Sequence, residues 1–91
     1  MRLTVRLFAR LREVAGCGEC TCDVEAGASV ADVWRALTTR HPALGPYGPS
    51  VSCALNADFA KMTAIVRDGD EVAFLPPVSG GGWNGNKAGV P

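Results

Sequence analysis

Few side chains in this chain are equipped for chemistry: four cysteines, one histidine and a scattering of serines. Cys17, Cys20 and Cys22, with His41 as a fourth ligand, are the residue types of a tetrahedral metal site. A second Cys-x-x-Cys is absent, however, and Cys20 and Cys22 fall on the same alternating face as Val24, so core thiols are expected. His41 precedes Pro42, which makes it a solvated residue at a helix end and a poor general base. Ser79 lies in no nucleophile elbow, and no Ser-His-Asp or Cys-His spacing supports nucleophilic catalysis. Gly80-Gly81-Gly82 runs into Trp83 instead of Lys-Ser/Thr, which excludes a phosphate loop. The backbone remains. Two terminal glycines would offer a partner enzyme an unhindered carboxylate, and a segment without Cβ atoms passes through a narrow slot. Taken alone, such a run is more often a flexible linker or a frayed terminus.

The residues before the glycines give them a mount. Asp68-Gly69-Asp70 is turn chemistry, with Gly free to take positive φ and Asp able to bond its own backbone. In Glu71-Val72-Ala73-Phe74-Leu75, Val72 and Phe74 point one way and Ala73 and Leu75 the other. That predicts a central strand over 71–75, covered on both faces. Pro76 and Pro77 end it, since neither can donate a ladder hydrogen bond. Pro76-Pro77-Val78-Ser79-Gly80-Gly81 then reads as a thin thread leaving a folded body.

That body is legible by period. Leu3, Val5 and Leu7 alternate with Arg2, Thr4 and Arg6, a half-buried strand over 2–8. Leu11, Val14 and Ala15 change to helical spacing over 9–15, closed by Gly16 and Gly18. Residues 19–25 alternate again and should pair with the first strand. Ser29 and Asp32 form a capping-box pattern before the stripe Val30, Val33, Trp34 and Leu37, which predicts the main helix. Residues 42–50, rich in Pro and Gly, are expected to be an irregular connection. A strand over 51–55 ends at Asn56, and 59–66 reads as a short edge strand and a loop. These elements predict an α+β fold, a mixed sheet clasping one long helix, with a short helix after the first strand.

Ninety-one residues make one small domain, which buries roughly 60–65% of its unfolded surface and leaves little room for an internal active site. Nine basic and nine acidic residues cancel, so neither nucleic acid nor an anionic membrane is an expected partner. Arg2, Arg6, Arg10 and Arg12 are read as a solvated face. The N-terminal apolar residues alternate with Arg and Thr, never forming a signal peptide or a span; a cytoplasmic protein with reduced thiols is expected.

Three stretches together carry a resemblance: Val5-Arg6-Leu7-Phe8-Ala9-Arg10-Leu11-Arg12-Glu13, Ala54-Leu55-Asn56, and the run from Asp68-Gly69-Asp70 through Phe74-Leu75-Pro76-Pro77-Val78-Ser79-Gly80-Gly81. Over nearly all of residues 1–81 the chain resembles the small subunits of molybdopterin synthase, ubiquitin-like β-grasp sulfur carriers. The resemblance implies a β-grasp domain over 1–81 and a flexible extension over 82–91. It further implies that an E1-like adenylating enzyme consumes ATP to activate the terminal glycine, with Gly80 and Gly81 as the reactive end. The resulting thiocarboxylate is delivered to a pterin precursor inside the large synthase subunit. No cofactor would be bound by this chain itself. Phe59, Leu75, Pro76, Pro77, Val78 and Ser79 are the expected partner-binding residues. The sequence departs from the family at 82–91, because an internal Gly81 carbonyl is an amide; a processing peptidase is the expected remedy, with Gly82 the alternative terminus. Two alternatives stay open: a carrier for thiazole or cysteine synthesis, and a ubiquitin-like binding module that is never activated.

Overall fold

The computed structural model describes residues 1–76. Strand β1 (Arg2–Leu7) leads into helix α1 (Ala9–Ala15), strand β2 (Glu19–Asp23) and helix α2 (Val30–Arg40). A 3-10 helix (Pro42–Ser50) and strands β3 (Ser52–Leu55), β4 (Asp58–Ala60) and β5 (Glu71–Leu75) follow. They form one sheet in the order β2-β1-β5-β3-β4. β1 and β5 run parallel, with Val5 opposite Val72, and the remaining pairs are antiparallel. This is the expected mixed α+β arrangement.

One face of the sheet makes the core. Leu3, Val5 and Leu7 of β1 and Val72 and Phe74 of β5 are buried beneath Val30, Val33 and Leu37 of α2, with Leu11 of α1 beside them. Trp34 leans on Phe74 with ring centroids 4.9 Å apart. The helix is held where the sequence places it. Ser29 accepts the Asp32 N–H through its hydroxyl, and the Asp32 carboxylate accepts the Ser29 N–H, satisfying two otherwise orphaned donors. Helix α1 ends at Gly16, whose φ of 81° turns the chain into β2 and whose N–H reaches Arg12 O.

Two expectations need correction. β5 is central, between β1 and β3, but it is covered on one face only; Glu71, Ala73 and Leu75 are half-buried on the other. The described residues provide a single helical layer, so alternation of two apolar sets did not mean two covered faces. The 42–50 connection is a 3-10 helix, not an irregular segment, and it inserts Leu44 fully into the core. Pro42 starts it at a position where no N–H is needed, and Pro46 and Pro49 are tolerated in short i+3 turns where a continuous α-ladder would fail.

The turn before β5 is tied by side chains. Asn56, with φ of 52° in a two-residue hairpin turn, donates to Asp70 Oδ1 (3.0 Å) and accepts the Glu71 N–H (2.9 Å). Asp70 also accepts the Arg67 N–H at 2.7 Å. The Asn56 amide first, and the Arg67 N–H second, hold the Asp70 carboxyl below the ordinary carboxylate range. A carboxyl lowered in the folded state contributes stability above its unfolded pKa and loses it as pH falls through the folded one. Thermal melts from about pH 7 to 2 should therefore show Asp70→Asn less stable at neutrality and with a shallower loss below about pH 4 than the parent.

Candidate functional site

The uncovered face of the sheet is divided by charge. Toward β2, Arg2 pairs with Asp23 at 3.3 Å, and Arg6 stands 3.4 Å from Glu71 and 4.0 Å from Glu19. These exposed pairs neutralise that half and agree with the solvated-face reading of the arginines. Toward β4 the face is apolar. The register sets Arg6 opposite Ala73, Ala73 opposite Ala54, and Ala54 opposite Phe59, one rung across four strands. One rung further along β5 comes Leu75, beside Phe8, whose N–H bonds to Phe74 O at 3.3 Å. Together these residues line a shallow groove of ≈ 280 Å³. Phe59 is 73% exposed and Phe8 41% exposed, so two phenyl rings stand in solvent on one small face.

The groove runs along β5 from Glu71 at its start to Leu75, where the strand passes to the predicted thread. Phe59 and Leu75, far apart in sequence, are brought together on it, and half-buried Pro76 is the next residue. Pro77, Val78, Ser79, Gly80 and Gly81 lie outside the described residues. Phe8, Ala54 and Ala73, with Arg6, Ala57 and Glu71, make up the rest of the wall and were not among the residues expected to bind a partner. The signal for Phe8 was available: it is the aromatic that falls on the polar side of the alternation that buries Leu3, Val5 and Leu7.

The thiols and the histidine form no catalytic cluster. Cys22 and Cys53 are buried, whereas Cys20 is only half-buried because β2 is an edge strand, a partial correction to its expected core placement. Burial pushes the thiols of Cys20, Cys22 and Cys53 up from the ordinary value. His41 caps the C-terminus of α2, its N–H bonded to Leu37 O. Among the described residues no group of His, Cys, Asp or Glu could hold a metal ion. No helix among them is long and apolar enough to cross a membrane.

A five-stranded mixed sheet around one main helix, with its last strand central, defines a ubiquitin-like β-grasp protein. Residues 5–81 match the ThiS family, and the chain belongs to it. It is 39% identical over 83 residues to the molybdopterin synthase sulfur carrier subunit of Chlamydomonas reinhardtii, covering 89% of this chain and 100% of that one. It is 38% identical to small archaeal modifier protein 1 of Haloferax volcanii, over 84% of this chain and 97% of that one. The crystal structure of SAMP1 from Haloferax volcanii superposes with a TM-score of 0.79 at 36% identity, covering 89% of this chain and 100% of that chain. The family match ends at Gly81, leaving 82–91 outside it.

Proposed function

We propose that this protein is the cytoplasmic sulfur-carrier subunit of a molybdopterin synthase, active once the chain ends at Gly81. A processing peptidase removes 82–91. An E1-like enzyme then joins the Gly81 carboxylate to AMP from ATP, releasing pyrophosphate and creating an anhydride with a good leaving group. A persulfide sulfur displaces AMP, and reduction of its S–S bond leaves a thiocarboxylate. The thread enters the large synthase subunit, where that sulfur is transferred to the pterin precursor; two rounds furnish a dithiolene. Gly80 and Gly81 suit the thread because a Cβ would obstruct both enzymes' slots.

The observation that carries this reading is the groove along β5, which reaches the start of the thread and presents Phe59, Leu75 and Phe8 beside the Arg6–Glu71 pair. Inserting a thread costs conformational freedom, and a docking surface on the rigid body offsets it. Exposed aromatic rings in a small apolar patch are the residue types that dominate such contacts. Pro76, Pro77, Val78 and Ser79 extend the same contact along the thread.

Phe59→Ala and Leu75→Ala should each weaken binding to the large subunit about tenfold or more while leaving the thermal melt nearly unchanged, since both side chains project from the uncovered face. Isothermal titration with the large subunit measures it, and equal affinities for parent and both variants would refute the docking face. The similarity to small archaeal modifier protein 1 favours a second reading, a carrier whose sulfur or acyl group goes to another acceptor. Supplying the thiocarboxylated chain and the large subunit with pterin precursor separates the two: dithiolene forms only under the first.

A further inference from the structure

Cys17-Gly18-Glu19-Cys20 lies where α1 hands over to β2; Cys20 packs against the edge of the core, and the carrier reading uses neither thiol. Gly16 in its left-handed conformation folds the chain back at the end of α1. The Gly18 carbonyl accepts the Leu7 N–H at 2.9 Å, pinning the loop to the end of β1. Cys20 is the second residue of the edge strand and stands opposite Val5. Cys17 and Cys20 stand three residues apart across this turn, the Cys-x-x-Cys spacing at which two thiols can meet. Both are partly exposed, and Cys17 lines an open depression of ≈ 510 Å³ with Arg12 and Glu13.

We propose that Cys17 and Cys20 are a reversible dithiol–disulfide site that reacts with small-molecule disulfides. The Cys17 thiolate, reached through the depression, attacks one sulfur of the incoming disulfide; a mixed disulfide forms and one thiolate leaves. The Cys20 thiolate then attacks the Cys17 sulfur, closing the protein disulfide and expelling the second thiolate. The two protons shed by the cysteines end on the two released thiols, and the two electrons reduce the small-molecule disulfide. Excess thiol runs the sequence backward. The Arg40 guanidinium, 3.0 Å from Thr21 O, supplies positive charge beside Cys20 that opposes the effect of its burial on the thiol.

The other cysteines are poor partners. Cys22 is 6% exposed and Cys53 is 4% exposed, and the Cys53 thiol donates to Ala60 O at 3.0 Å. Along β2 the extended backbone separates Cys20 from Cys22 by about 6.6 Å between Cα atoms, near the upper limit that a disulfide spans.

The test treats the full chain with oxidised glutathione, quenches with acid, alkylates and maps the peptides. Cys17 and Cys20 should disappear together into one disulfide, on the order of tenfold faster than Cys22 or Cys53 are modified. Reduced glutathione in excess should restore both. Cys20→Ser should stop at a glutathione adduct on Cys17. A lasting adduct on Cys17 of the parent chain, a bond from Cys17 to Cys22, or oxidation no faster than that of Cys22 and Cys53 would each overturn the assignment.

Discussion

A chain ended at Gly81 is expected to gain sulfur when given ATP, an E1-like adenylating enzyme and a persulfide donor, whereas the chain that continues through 82–91 is expected to gain none. The difference is one of bond type. Adenylation needs a carboxylate oxygen as nucleophile toward the α-phosphorus, and in the longer chain the Gly81 carbonyl is an amide. Intact-mass measurement reads the replacement of oxygen by sulfur directly. A chain ended at Gly81 but carrying Gly81→Ala should be activated about a hundredfold more slowly, because an added methyl displaces the reacting carboxylate within a slot shaped for bare backbone. Equal sulfur gain by the longer chain would overturn the terminal-glycine mechanism. Sulfur gain with no delivery to pterin would leave the carrier chemistry standing and move the acceptor elsewhere.

Phe74→Ala is expected to remove most of the stability of the domain. Phe74 has no exposed surface, stands on the central strand, and packs against Trp34 above it. Truncating a buried phenylalanine costs about 3–5 kcal/mol, through lost transfer energy and the cavity left behind. A domain this small holds only a modest share of the roughly 5–15 kcal/mol typical of folded proteins. Urea titration of chains ended at Gly81, in which Trp34 is the only tryptophan, should show the midpoint falling steeply while Phe74→Leu loses much less. A midpoint unchanged in Phe74→Ala would mean that β5 is not the centre of the core.

Much of this architecture is written in local periods. Alternation in Leu3, Val5 and Leu7, the helical stripe of Val30, Val33 and Leu37, and the Ser29–Asp32 box each name their own element, because side-chain spacing and capping are properties of a few consecutive residues. The Asn56 and Asp68-Gly69-Asp70 turns are legible for the same reason. Leu44 was not, since a lone apolar residue among prolines and glycines has no period; only the nearby α2 and α1 give it something to fill.

Ordered residue types along the chain were enough to predict an α+β body, with alternating strands and one capped main helix, because those conclusions rest on neighbours in sequence. Folding alone decided that β5 is sheltered on one side only, and that Phe8, Phe59 and Leu75 share a groove on the other. Strand order and register set that juxtaposition, and they depend on pairing between segments distant in the chain, β1 with β5 above all, which no local spacing encodes.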